Sequence, residues 1–357
     1  MLELKTQSAI IMKSAGEAHV EQNLSIPSPD AGQLLIKVHA VALNPSDWMA
    51  LDMLGRPGAG LGYDFSGEIV EIGEDVRVSW KVGDRVAGFV HGCHAANYTI
   101  GAFREYLCTD AGLVIRLPGH ISFDGASTLG MGISTAAQAL YQSLSIPLPA
   151  IDPTPTDQTI LIYGGSTATG TLAIQLAKLL GPDEIVDHKS PDAIERLRKY
   201  VQHTGLYLIL DCIGSEDTST FCYQCFTPCP WEAAPSRDYI YAPLMPISKP
   251  PSKYTAVPSP AKILNKWKFV YTCFGKRFSI LSDKIEISDT WQPSVEDKSF
   301  MMSFYRRVEG LIANEKIQLM PYEIRTGGLK TVLDGVSLVR GGKVRGKKLV
   351  YPISEES

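Results

Sequence analysis

The chain has 357 residues, 45% hydrophobic and 20% charged, a composition that excludes disordered, collagen-like and coiled-coil proteins and leaves room for two domains. Lys and Arg total 34 against 38 Asp and Glu, so nucleic-acid binding would need a local basic patch, and no extensive one is visible. No stretch approaches ~18 uncharged apolar residues and residues 1–7 carry no leader pattern, so a cytoplasmic protein with no membrane partner is expected. Seven cysteines are too few, and odd in number, for a secreted disulfide scaffold, and free thiols are expected.

Residues 34–43 alternate Ile36, Val38, Ala40 and Ala42 against more polar neighbours and stop at the turn pair Asn44-Pro45, the pattern of a half-buried strand. Further short strands are expected at 65–70, 84–90 and 102–108, each bounded by a glycine turn, which suggests an irregular β-barrel or sandwich. Residues 124–141 are rich in Ala, Leu and Gln and predict a helix. Pro147, Pro149, Pro153 and Pro155 then form a connector.

Beyond it, the apolar run 159–163 leads directly into Gly164-Gly165-Ser166-Thr167-Ala168-Thr169-Gly170 and a helix to Leu180. Strand, glycine-rich turn and helix together make a phosphate site, because small residues let the backbone close on an anion and free N–H groups at the helix start point at it. Any βα turn favours Gly and Ser, so a purely structural turn stays open. A helix over 191–203 and an apolar strand over 206–210 ending at Asp211 continue the αβ alternation. The turn is one residue from a hydrolase nucleophile elbow, but no histidine follows His203 to complete Ser, acid, His order. No tyrosine has lysine at +4, which excludes the short-chain dehydrogenase pair.

Four motifs stand in order in the first half: Asn44-Pro45-Ser46-Asp47, the segment Gly62 to Val70, Lys81 to Val86, and Gly101 to Tyr106. With them the chain resembles the medium-chain dehydrogenase/reductase superfamily. Within it, Gly132-Ile133-Ser134-Thr135-Ala136 and the run Tyr163 to Thr169 resemble the trans-acting enoyl reductases of fungal polyketide synthase clusters, of the lovastatin type. The resemblance implies an α/β protein in which a GroES-like β-barrel domain (1–150, completed by 300–357) faces a doubly wound Rossmann domain (151–299), with NADPH and substrate between them.

Carried over residue by residue, the resemblance puts Ser46, Asp47, Trp48 and Met49 along the nicotinamide and Ser166, Thr167, Ala168 and Thr169 on the phosphates. It assigns His188, and the apolar Leu244 and Met245 with Pro246, to the cofactor, over which Gly346 and Lys347 would close. Leu129, Gly130, Met131, Gly132, Ile133, Ser134, Thr135 and Ala136 resemble a polyketide-lining stretch, as do Tyr271, Thr272, Cys273, Phe274 and Gly275. Zinc-dependent members carry Cys and Gly-His-Glu where this chain has Asn44 to Asp47 and Gly62-Tyr63-Asp64, so no catalytic metal is expected. Cys222, Cys225 and Cys229 lack a fourth ligand nearby and read as buried thiols. Arg340, Lys343, Arg345, Lys347 and Lys348 form a basic cluster that reads either as a solvated hairpin or as a contact for phosphate or a carrier protein.

The implied reaction is NADPH-dependent reduction of the α,β-double bond of a carrier-bound polyketide, by a monomer partnered with the acyl-carrier protein of a polyketide synthase. Thr135 is the candidate catalytic group, orienting cofactor or thioester. Relatives commonly have lysine where this chain has Met49, which leaves solvent as the proton source. A quinone- or small-enone-reducing enzyme and a catalytically weakened binding protein remain open.

The helix after the phosphate turn ends at Leu179-Leu180-Gly181, and residues 182–188 follow at once, resembling a strand that relatives reach only after another strand and helix. One βα unit is missing on this reading. It implies a sheet one strand short, uncovered apolar surface on the neighbouring strand, and NADPH bound with little preference over NADH. Alternatively, Gly181 to His188 is itself the second strand, with Asp187 or Lys189 at the ribose.

Overall fold

Strand β3 (Gln33–Ala42) is the axis of the first half: Ile36, Val38, Ala40 and Ala42 are buried, and three strands pair antiparallel with it. The computed structural model describes residues 6–54, 56–94, 97–149, 158–179, 184–227, 238–245 and 295–353, together with the backbones of strands at 263–265, 278–281 and 284–287. Before β3 stands the hairpin β1 (Thr6–Ser14) and β2 (Glu17–Ser25). After it come helix α1 (Pro45–Met53) and strands β4 (Asp64–Ile72), β5 (Arg85–Phe89), β6 (Tyr106–Asp110) and β7 (Val114–Arg116).

The predicted helix over 124–141 is broken into α2 (Phe123–Ala126), α3 (Gly130–Ala137) and a π-helical turn, Gln138–Ser143. The break has a local cause. Ser127 and Thr128 turn their hydroxyls back onto the carbonyls of Asp124 and Gly125, each at 2.7 Å, and compete with continued helical bonding.

Strand β8 (Ile160–Tyr163) leads into helix α4 (Ala168–Lys178); helix α5 (Ala193–Tyr200), strand β9 (Leu208–Asp211), helix α6 (Glu216–Cys225), and strands β10 (Tyr239–Pro243) and β11 (Ile263–Asn265) follow. Among the described residues these strands form a four-stranded parallel sheet in the order β11-β10-β9-β8. A doubly wound sheet runs 3-2-1-4-5-6, and the observed strands match positions 6, 5, 4 and 1. Strands 2 and 3 have no counterpart among the described residues. Residues 184–190 form no strand, so the reading of this segment as strand 2 is not met, and Ile185 is 80% exposed. The described sheet is thus two strands short of that order where the missing-unit reading expects one, and a segment that pairs only with strand 2 would have no ladder without it. Consequently all four residues of β8 are only half-buried, while all four of β9 are buried.

The C-terminal residues return to the barrel. After β12 (Phe278–Leu281) and β13 (Lys284–Ile287), helix α7 (Val295–Ala313), strand β14 (Tyr322–Ile324), helix α8 (Leu329–Arg340) and strand β15 (Lys348–Pro352) complete a seven-stranded sheet of order β14-β15-β3-β4-β5-β7, with β6 on β3. The chain divides into two compact units, Met1–Ser134 with Cys273–Phe278 and Ile287–Ser357, and Thr135–Thr272 with Ser279–Glu286. The division falls inside α3, before the proline connector near 150.

At the start of α3, a Cβ on Gly130 would lie 2.2 Å from the Gly88 carbonyl oxygen and 2.8 Å from an Asp64 oxygen. Since two backbones meet there, Gly130→Ala is expected to destabilise the protein by about 1–3 kcal/mol, read as a lower urea midpoint at unchanged slope.

Candidate active site

The barrel unit places a buried polar cluster where β3, β4 and β15 run side by side. Ala42 at the end of β3 faces Asp64 on β4 and Val350 on β15, which draws Asn44, Asp64 and Lys348 together. The Lys348 ammonium pairs with Asp64 Oδ2, and both side chains are buried. Asn44 bridges them: its Oδ1 accepts from Lys348 Nζ at 3.0 Å and its Nδ2 donates to Asp64 Oδ2 at 3.0 Å. The Met131 amide, in the first turn of α3, donates to Asp64 Oδ1 at 2.6 Å. A buried ion pair is tolerable when its remaining lone pairs and protons are satisfied in this way.

Asp47 lies alongside. Its Oδ2 accepts from the Asn44 amide at 2.6 Å, fixing the first turn of α1, where Pro45 needs no N–H partner. Burial pushes the Asp47 carboxyl up to about 8; the nearby Asp64 charge adds to this, and the amides of Asn44 and Tyr63 and the Lys348 charge oppose it. Trp48 and Met49 are half-buried on α1. Ser46 Oγ donates to Met131 Sδ at 3.2 Å, tying α1 to α3, and Ser134 Oγ bonds the Gly130 carbonyl (2.7 Å) and Tyr305 Oη (2.6 Å). Leu129, Ile133 and Ala136 are wholly buried and Thr135 is 5% exposed; Thr135 and Ala136 fall in the other unit.

The second unit supplies the phosphate turn. Gly164 has φ +78°, and a Cβ on Gly170 would lie 2.2 Å from the Gly164 carbonyl oxygen, so glycine lets α4 sit tightly on the turn. Thr167 caps α4 by accepting from the Gly170 amide at 3.0 Å, and Thr171 Oγ1 donates to the Gly165 carbonyl at 3.0 Å. Ser166 is exposed, and Ala168 and Thr169 lie in the first helical turn, whose N–H groups have no intrahelical acceptor. These features fit a dinucleotide's phosphates.

His188 reaches the same end of the sheet: its ring meets Tyr163, the last residue of β8, edge-on with centroids 5.4 Å apart. Leu244 and Met245 follow β10, the Leu244 amide donating to the Asp211 carbonyl at 2.9 Å. Asp211, at the end of β9, is completely buried and accepts from Tyr241 Oη (2.7 Å), Thr218 Oγ1 (2.6 Å) and the amides of Ile213 and Gly214. That strand-end anchor, like the Asn44–Asp64–Lys348 cluster, was not singled out in the sequence; its signal is an acid closing an apolar strand.

Gly346 and Lys347 are exposed, with Lys347 paired to Glu323. Of the basic cluster, Arg340 pairs with Asp52 and Lys348 is internal, so the group is not one solvated hairpin. Cys222 and Cys225 are buried on α6, and burial holds both thiols up. Cys229, Pro246, Tyr271, Thr272, Cys273, Phe274 and Gly275 lie outside the described residues. Among the described residues no three His, Cys, Asp or Glu gather as a metal site, and Asp64 is neutralised by an internal ammonium.

A parallel sheet with a phosphate turn and a separate barrel completed by the C-terminus define a medium-chain dehydrogenase/reductase. A family model of the alcohol dehydrogenase GroES-like domain matches residues 30–119. The solved structure of CurK enoyl reductase shares the fold at TM-score 0.69 and 16% identity, covering 98% of this chain and 100% of that one. Trans-enoyl reductase caaB of Aspergillus niger is 34% identical over 97% of both chains, and trans-enoyl reductase traG of Penicillium crustosum is 33% identical over 98% of both. The chain belongs to the trans-enoyl reductase family.

Lys348→Met is expected to cost about 3–5 kcal/mol by leaving Asp64 buried and unpaired, with Asp64→Asn/Lys348→Met recovering much of it in chemical denaturation. Asp47 holds a proton in the folded state up to about pH 8 that the unfolded chain releases near 4, so stability falls as pH rises between those values. Asp47→Asn should flatten this slope by up to about 1.4 kcal/mol per pH unit, measured by urea unfolding at several pH values.

Proposed function

We propose that this chain reduces the α,β-double bond of a polyketide thioester held on the acyl-carrier protein of a partner synthase, with NADPH as the hydride donor. Full-length likeness to trans-enoyl reductases of two fungal genera, together with an intact phosphate turn, carries the reading. A cytoplasmic monomer goes with it; among the described residues, no helix is long and apolar enough to cross a membrane.

The nicotinamide, when bound, supplies hydride to the β-carbon. The chain's residues position the partners. Ser166 to Thr169 offer amides and hydroxyls to the phosphates, with His188, Leu244, Met245, Gly346 and Lys347 as further cofactor contacts. Ser46 to Met49 line the nicotinamide side, where the Ser46 and Asp47 side chains are already held by Met131 and Asn44. Leu129 to Ala136 form one substrate wall, and Thr135 Oγ1 would donate to the thioester oxygen as enolate charge develops. Met49 offers no proton, so water protonates the α-carbon. The thinned sheet, with β8 half-buried, favours one second reading, a binding protein of reduced catalytic power.

The test is NADPH oxidation with a carrier-bound crotonyl thioester, a free thioester and a small enone. Faster turnover on the carrier supports the reading, equal turnover of the free enone points to a quinone-type reductase, and no oxidation with any substrate selects the binding protein. Thr135→Val should slow turnover by ~1–3 kcal/mol of barrier, a factor of roughly 5 to 150, without moving the thermal midpoint.

A further inference from the structure

The barrel sheet ends at β14, whose outer edge has no strand partner among the described residues. Tyr322 and Ile324 on this strand are 36% and 50% exposed. Apolar side chains on an open edge are a liability unless something covers them. Cations surround this strand. Arg325 and Lys347 share one carboxylate, Glu323, so that group is net positive. In the loop from α8 to β15, Lys343 and Arg345 are exposed and have no carboxylate partner among the described residues. The loop stands clear of the body: a Cβ on Gly342 or Gly346 would meet nothing within 4 Å. The whole chain carries net charge −4, so this local excess of cations runs against its overall sign.

We propose that β14 and the loop 341–345 together form the docking surface for the acyl-carrier domain, engaging an acidic face of that domain around an apolar contact. An apolar centre inside a charged rim is the anatomy of a specific, reversible interface. Unpaired cations at the rim attract a partner of opposite sign and set its orientation, which suits a carrier that must dock, deliver its thioester and leave. Lys343 and Arg345 need no role in hydride transfer; they select substrates presented on a carrier over the same acyl group free in solution. The inference rests on the proposed function in taking the carrier as partner, but binding can be read without turnover.

The experiment titrates the full-length protein with an acidic holo-carrier domain of a reducing fungal polyketide synthase, at about 50 mM and about 300 mM salt, by calorimetry. Binding that weakens at high salt and falls about tenfold in Lys343→Glu/Arg345→Glu, and also falls in Ile324→Ser, is expected, with thermal midpoints near that of the parent. No binding by the parent at low salt, or equal binding by parent and both variants, overturns the proposal. Turnover of a free enoyl thioester, measured in parallel, should be the same in parent and charge-reversed protein. Its absence in the parent would remove the proposed reaction and leave the docking result intact; its loss in the charge-reversed variant alone would assign these cations to the reaction and overturn the docking role.

Discussion

The Lys348–Asp64 pair is the contact on which the barrel unit depends. Its members come from the start of β15 and the start of β4, 284 positions apart, and Asn44, Thr128 and Met131 complete the shell. Burying two charges is costly, and the cost is offset here because the ammonium has three acceptors and the carboxylate has two further donors. The cluster also makes the C-terminal segment part of the barrel. Without it, β15 would add a three-residue ladder to β3 and little else at that point to specify its register.

In the second unit the contacts of the phosphate turn are local. The phosphate turn is held by contacts within eight residues: the Thr167 amide on the Gly164 carbonyl, the Gly170 amide on Thr167, and Thr171 on the Gly165 carbonyl. None of these needs a neighbouring strand. The adenosine end of a dinucleotide site is different, because its ribose contact sits at the end of strand 2. Among the described residues strand 2 has no counterpart, yet the turn is intact; β8 is half-buried, and Val186 and His188 pack against the sheet individually instead of through a ladder. A local motif thus survives where a non-local one does not.

Much of this was legible in the sequence. The alternation over 34–43, the glycine-bounded strands and the run 160–170 carry their own periodicity and turn chemistry, and the structure places elements at each, with the strand expected at 102–108 moved to Tyr106–Asp110. Lys348 was read with its basic neighbours because charge is visible in a sequence and burial is not; the clue was that it opens the apolar run Leu349-Val350-Tyr351. The helix over 124–141 failed because composition favours helix throughout, whereas two hydroxyl back-bonds at Ser127 and Thr128 decide where it breaks. Residues 184–188 look like a strand but form none, and no partner strand for them stands among the described residues.

The polar groups of the barrel cluster constrain how the chemistry can run. Asn44, Asp64 and Lys348 satisfy one another, and Ser46 and Ser134 are bonded to Met131, Gly130 and Tyr305, so these groups are held as fixed dipoles and charges. Reduction of a conjugated thioester suits such a setting: it needs alignment and a stabilised oxygen more than a strong acid or base. The Asp47 carboxyl is pushed up to about 8, and its ionisation would place a second carboxylate charge beside Asp64 at the root of α1. Its proton therefore bears on the integrity of the barrel.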